Sequence, residues 1–224
     1  MMTWNLFSTQ NSACSLMEQL IFFHNYSIFM LLMIILMIIY FIFFLLKNKL
    51  IFRLFLNFQL LEFIWSILPM IILILMAFPS LNLLYLMDEM NSPMISIKII
   101  GYQWYWSYEY SDFKNIEFNS YMKHQYKNYE FRFLEVDTRM LIPFNIQTRL
   151  IISSNDVLHS WTIPSLNIKM DAIPGRLNQI NLNLNQTGLF FGQCSEICGI
   201  NHSFMPIIME CISINFFLIW LNEM

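Results

Sequence analysis

This 224-residue chain has little charge and little glycine. Only 12% of it is Asp, Glu, Lys or Arg, while 57% is hydrophobic. A soluble globular domain carries about 25% charged residues, so an ordinary soluble class is excluded. The net charge is -3 and no basic run exists, which removes the electrostatic basis for binding nucleic acid. Cysteines number four, with Cys14 and Cys211 isolated and Cys194 and Cys198 close together. That spacing is unlike the paired framework of a small secreted domain and suits a metal site better. No Lys or Arg precedes the first apolar run and no small-residue cleavage site follows it, so that run reads as a retained membrane helix rather than a cleaved leader.

The charge that is missing is missing in two places. Residues 26–46 (YSIFMLLMIILMIIYFIFFLL) and 63–87 (FIWSILPMIILILMAFPSLNLLYLM) contain none. Each is long enough to cross a hydrocarbon core of about 30 Å as a helix. Pro69 and Pro79 fall inside the second run. In a bilayer, where neighbouring groups can satisfy the freed carbonyls, prolines predict kinks rather than helix ends. The connection holds Lys47, Lys49 and Arg53 against Glu62, whereas the first 25 residues hold no Lys or Arg, only Glu18. Positive charge stays on the inner side of a membrane, so the hairpin loop is expected inside and both flanking parts outside. The expected organisation is an outer-side segment over 1–25, a transmembrane hairpin over 26–87 and an outer domain over 88–224.

The outer domain reads as β. Residues 94–103, 129–136, 145–153, 177–185, 187–193 and 206–214 are short runs rich in Ile, Phe, Tyr and Thr. Pro143, 153–156 and Pro174-Gly175 punctuate them, and many short strands with such turns predict a two-sheet sandwich. Residues 216–221 suggest a short terminal helix.

Within this domain Cys194, Cys198, His202 and Met205 form a Cys-x3-Cys-x3-His-x2-Met cluster, and His159 lies 35 residues upstream of the first thiol. An upstream His with a Cys…His…Met loop on a sandwich is the ligand pattern of a blue-copper site. The second thiolate allows two copper ions to be bridged, with one imidazole left for each. A Cys2His2 zinc site would use the same cysteines and histidines, with Met205 as ordinary packing. A Cys194–Cys198 disulfide is disfavoured by its tight loop. His24 and His124 have no partner at ligand spacing, and Cys14 and Cys211 read as plain thiols.

The stretch GYQWYWSYEY (101–110) holds six aromatic residues. Most of these rings are expected to pack, but an indole near a metal would also shorten an electron's path. Glu109, Asp112, Glu117, Glu135, Asp137 and Asp156 lie around it in sequence. Acids on a redox protein can steer a basic partner.

The strings ILPMIILILMAFPSL, GYQWYWSYEY, DVLHSWTIPSLNIKMDAIPGRLNQ and FGQCSEICGINHSFMP together resemble the cytochrome c oxidase subunit II family in its mitochondrial form, over essentially the whole chain. The resemblance implies a two-helix transmembrane hairpin plus a cupredoxin-like Greek-key β-sandwich carrying a dinuclear copper centre. Position by position, it implies that Cys194 and Cys198 bridge two coppers. His159 and Met205 would complete one copper; His202 and the Glu196 carbonyl would complete the other. The Glu196 carboxylate would reach a magnesium ion shared with subunit I. Trp104 would receive electrons from cytochrome c, and Glu62 would stand at the mouth of a proton pathway. Glu109, Asp112, Asp137 and Asp156 would face cytochrome c. The implied setting is the mitochondrial inner membrane, with subunits I and III and further subunits as partners, membrane lipid around the hairpin, and the outer domain in the intermembrane space. Three departures stand out. Tyr102 replaces the histidine usual before Gln-Trp, Lys114 and Asn115 stand where relatives often place acids, and the connection over 121–129 is slightly short. A quinol oxidase subunit shares the fold without copper, and a copper chaperone or zinc-binding membrane protein shares the ligands without the Trp-rich stretch.

Overall fold

A computed structural model describes residues 9–50, 57–90, 92–114 and 116–224, so Arg53 of the hairpin loop and Asn115 lie outside the described residues. The chain divides into two compact units, residues 19–87 and residues 1–18 with 88–224.

The first unit is helical. Helix α1 spans Ser15–Lys47 and α2 spans Gln59–Asp88. At 1.5 Å per residue these are about 50 and 45 Å long, more than a bilayer core requires. The apolar stretches of both are unburied, as lipid-facing helices require. Helix α1 starts eleven residues before the expected Tyr26. Freedom from charge marks where hydrocarbon can lie, not where the helix begins, and Leu16 to His24 are compatible with helix on either side of that line. Helix α2 runs through both prolines. Pro79 has no N–H to give the Leu75 carbonyl four residues earlier, and the Tyr26 hydroxyl of α1 donates to that carbonyl at 3.4 Å. A neighbouring helix therefore satisfies the group that proline frees.

The second unit is the β domain. Its largest sheet has the order β3-β2-β1-β5-β8, from β1 (Ile95–Tyr102), β2 (Tyr105–Tyr110), β3 (Ile116–Ser120), β5 (Thr148–Ser154) and β8 (Asn178–Leu182). A second sheet joins β4 (Met140–Pro143), β10 (Pro206–Ile212) and β9 (Gly188–Gln193), and a hairpin pairs β6 (His159–Ile163) with β7 (Ile168–Ala172). Strands β1 and β5 are parallel, as are β4 and β10, so the chain crosses between sheets as a Greek-key sandwich must. Alternation dictates the burial. In β1, Ile95, Ile97, Ile99 and Gly101 face inward, and Leu150 and Ile152 of β5 join them. Trp106, Tyr108, Tyr110 and Trp161 fill the interior between the sheets.

The run 129–136, expected as a strand, is a series of turns with a single bridge from Met122 to Val136. Its side chains do not sort by face: Tyr129 and Phe131 are exposed and Glu135 is buried beside Arg139. Strand-like composition without a buried face does not make a strand. The terminal helix α3 spans Ile214–Glu223 and buries Phe217 and Leu221. The N-terminal segment belongs to this unit. The Ala13 N–H donates to the Ser165 carbonyl at 3.3 Å, the Asn185 N–H donates back to Ala13 at 3.0 Å, and Ala13, Cys14 and Met17 are buried.

Candidate metal centre

Three connections meet at one end of the sandwich: the β1–β2 turn at Gln103-Trp104, the β5–β6 loop ending at His159, and the β9–β10 loop from Cys194 to Met205. Strand pairing fixes the last of these at its base, because Gln193 faces Pro206 across the ladder. The Ser195 N–H donates to the Ser160 carbonyl at 3.0 Å, which ties the cysteine loop to β6. The Gln103 amide donates to the Cys198 carbonyl at 2.8 Å and the Trp106 indole to the Met205 carbonyl at 3.4 Å, which tie it to the aromatic stretch.

These ties bring the sequence-derived ligands together. The Cys194 and Cys198 sulfurs stand 4.0 Å apart. All four cysteines are free, so the disulfide reading is not realised. Metal–thiolate bonds of about 2.3 Å let one ion touch two sulfurs up to about 4.6 Å apart, so this spacing accepts a shared ion. His159 Nδ1 is 3.9 Å from Cys194 Sγ, and His202 Nδ1 is 3.4 Å from Cys198 Sγ. Met205 Sδ is 3.5 Å from Cys198 Sγ, and the Glu196 carbonyl oxygen is 3.4 Å from Cys194 Sγ. His159, Cys194, Cys198 and Met205 are buried and His202 is half-buried. The ligand atoms of His159, Cys194 and Cys198 all lie within 4.8 Å of one another, a mutual cluster that does not include His202. Each sulfur thus has its own imidazole. A single tetrahedral Cys2His2 ion would need all four atoms about one point. The soft, nearly closed donor set is compatible with a copper site.

Electrostatics show what the cluster needs. Burial opposes charge on the Cys194 thiol, but its hydrogen bonds to His159 and to the Ser160 backbone outweigh burial and hold it below the usual thiol value. Burial likewise pulls His159 down, and the contacts with Cys194 and Asp156 prevail and leave it raised. Burial first, and then the neighbouring Cys194, push the Cys198 thiol up to about 12. Two buried sulfurs this close do not both ionise without a cation. A metal would supply that charge and take the second proton's place.

Glycine makes two of these contacts possible. A Cβ at Gly101 would lie 2.8 Å from His159 Cδ2. Gly199 has φ 131, and a Cβ there would lie 3.1 Å from Trp104 Cζ2. Trp104 therefore packs on the residue that follows Cys198. Its half-buried indole lines an open groove of about 440 Å³ with Gln103, Tyr105, Tyr121, His124 and Phe204. Tyr102, Tyr105 and Tyr121 stack beside it, with ring centroids 4.8 and 4.5 Å apart. His124 lines this groove, and sequence spacing gave no signal for it.

The acids are spread differently. Glu109 pairs with Lys98 at 2.9 Å. Asp112 accepts the Ser96 N–H and Asp137 accepts the Tyr121 N–H, both at 2.7 Å. Asp156 accepts the Gln103 N–H at 2.6 Å and meets His159 Nε2 at 2.9 Å. The Glu196 side chain is exposed, and Glu62 is exposed in the first turn of α2.

Two sequence models of one family match the chain: "Cytochrome C oxidase subunit II, periplasmic domain" over residues 95–212, and its transmembrane domain over residues 2–83. Cytochrome c oxidase subunit 2 of Yponomeuta malinellus is 56% identical over 225 aligned residues, covering 100% of this chain and 99% of the relative. That of Aedes aegypti is 57% identical with the same coverage. The crystal structure of the periplasmic domain of cytochrome oxidase subunit II from Bradyrhizobium japonicum is 39% identical with a TM-score of 0.57, covering 60% of this chain and 96% of that one. The β domain is therefore cupredoxin-like, and the chain belongs to the cytochrome c oxidase subunit II family as a subunit of a cytochrome c oxidase complex.

Proposed function

We propose that this subunit accepts electrons one at a time from reduced cytochrome c and passes them toward haem in subunit I, where oxygen is reduced to water and protons are pumped. The observation that carries this reading is the pair of buried sulfurs 4.0 Å apart, each with its own imidazole. His159, Cys194, Cys198, His202, Met205 and the Glu196 carbonyl would hold two copper ions, which supply a rigid one-electron couple when bound. The chain's own contribution is to fix those donors. The Gln103 side-chain amide, the Trp106 indole and the Ser195 backbone N–H clamp the loop, and burial keeps water from the sulfurs.

Trp104 is the electron-receiving group, because its indole is partly open to solvent and rests against Gly199, next to a copper ligand. Glu109, Asp112, Asp137 and Asp156 give the surrounding surface the negative sign that attracts a basic partner. The exposed Glu196 carboxylate is offered to magnesium at the boundary with subunit I. Glu62 collects protons on the side where Lys47 and Lys49 lie. The positive-inside rule then assigns that side to the matrix of a mitochondrial inner membrane and the β domain to the intermembrane space, with subunits I and III alongside.

Electron paramagnetic resonance of the purified oxidase tests the reading. Hyperfine structure shared over two equivalent copper nuclei is expected. A one-copper pattern, or zinc in place of copper, would refute the dinuclear assignment.

A further inference from the structure

Asp156 was expected to be a surface acid facing the electron donor. Its geometry is that of a bracket. Oδ2 accepts the Gln103 backbone N–H at 2.6 Å, while Oδ1 meets His159 Nε2 at 2.9 Å and accepts the Val157 N–H at 2.6 Å. The Ser154 hydroxyl has its shortest contact with the Val157 carbonyl at 2.5 Å, accepts the Asp156 N–H at 3.3 Å and lies 3.2 Å from Oδ1, so the β5 end holds the turn that carries the carboxylate. The side chain is only 29% exposed. On the far side, Gln103 is tied to the cysteine loop through the Cys198 carbonyl.

We infer that Asp156 is a positioning residue that sets the copper-facing nitrogen of His159 and, through the same carboxylate, the register of the Gln103-Trp104 turn. The inference rests on the copper reading above. A carboxylate accepts and does not donate, so its contact requires a proton on Nε2 of His159. In the charged ring Nδ1 also carries a proton, which it offers to the Cys194 thiolate; in the neutral ring that a metal would bind, Nδ1 is left bare and still points toward Cys194. Outer carboxylates fix the tautomer of metal-bound histidines in this way. The second oxygen spends its lone pair on Gln103, so ring orientation and the placement of the electron-receiving indole share one group.

Asparagine has the same shape but cannot do both jobs. If its oxygen keeps the Gln103 N–H, its NH2 faces Nε2. The ring proton is then driven to Nδ1, where a metal must bind. If the amide flips, the histidine bond survives and an NH2 faces the Gln103 N–H.

The test uses purified oxidase. In the wild type, the Gln103 amide should exchange with deuterium far more slowly than a solvent-exposed turn amide; exchange at the unprotected rate overturns the bracket without any variant. In Asp156→Asn, copper retention against a chelator should fall about 10- to 100-fold, and the hyperfine pattern should change. Glu117→Gln, which removes one charge from an exposed position of the same sheet, should match the wild type in both. If Asp156→Asn also retains wild-type copper and spectrum, and only the ionic-strength dependence of cytochrome c oxidation changes, the carboxylate is a docking charge alone and the inference is wrong. A wild-type spectrum with one copper would instead refute the dinuclear reading, and the exchange and retention measurements would still judge the bracket.

Discussion

Gly101→Ala is the smallest perturbation that should reach the metal centre without touching a ligand. Gly101 lies in β1 opposite Ser154 of β5, and its missing Cβ leaves the place where the His159 ring packs. A Cβ there would stand 2.8, 3.0 and 3.2 Å from Cδ2, Cγ and Cβ of His159. Ordinary contact begins at 3.4 Å, so the ring must retreat by about 0.6 Å. It has little room to do so. His159 is fully buried, Asp156 holds Nε2 at 2.9 Å, and the Trp106 ring stands edge-on at 5.8 Å. Metal–ligand distances tolerate about 0.2 Å, so the displacement falls on copper binding. Overpacking costs about 1–3 kcal/mol, which corresponds to roughly 5- to 150-fold in copper affinity if the strain is expressed there. The assay is copper retention against chelators of graded strength in the purified oxidase, with circular dichroism to confirm an intact β domain. Wild-type retention in Gly101→Ala would refute the claim that this contact sets the imidazole. Loss of copper only together with loss of the fold would refute it as well.

Three further outcomes are expected. Trp104→Ala should leave both coppers bound and slow electron transfer from cytochrome c about tenfold or more, at least about 1.4 kcal/mol of barrier; stopped-flow reduction at an unchanged rate would remove Trp104 from the path. Glu62→Ala should impair proton uptake and turnover without changing the affinity for cytochrome c, and normal turnover would end its proton-pathway role. Cys211, 2% exposed in β10, has its thiol pushed up to about 11 by burial. An unfolded thiol ionises near pH 9 and the folded one does not. The folded state therefore keeps its full stability below about pH 9 and loses at most about 2–3 kcal/mol as the pH rises to about 11. Denaturant midpoints of wild type and Cys211→Ala should converge over that window, and parallel curves would show that the thiol does not titrate with unfolding.

Much of the site could be read from sequence because its chemistry is local. Cys194, Cys198, His202 and Met205 lie on one loop, and any closed loop of that length brings soft donors within reach of one another. His159 required the further inference that two strand ends meet. The loop's tie from Ser195 to Ser160 realises that meeting. The helices were legible in kind but not in their ends, since hydropathy reports lipid contact and the backbone continues past it. Residues 129–136 misled because Phe, Tyr and Val signal strands only when one face is buried. Gln103, Gly101 and Gly199 escaped for the opposite reason. Their roles are a close backbone approach and a side-chain amide hydrogen bond to a carbonyl 95 residues away, and neither leaves a periodic trace.

The two kinds of thiol in this chain show what burial alone does and what placement adds. Cys211 is buried against apolar neighbours in a strand, and burial raises its pKa and makes it inert. Cys194 is also buried, yet it lies below the ordinary value because an imidazole and a backbone N–H are aimed at its sulfur. Cys198, 4.0 Å away, carries the penalty of both burial and a charged neighbour. The fold thus stabilises one thiolate through its own dipoles and leaves the second dependent on a cation. A protein that needed only a reactive cysteine would have no use for the second sulfur, and one that needed only a structural ion would have no use for separate imidazoles on the two sulfurs. The proposed copper reading uses both features, because metal charge would then be shared across both sulfurs. Such sharing would let the site take up and release an electron with little movement of its ligands.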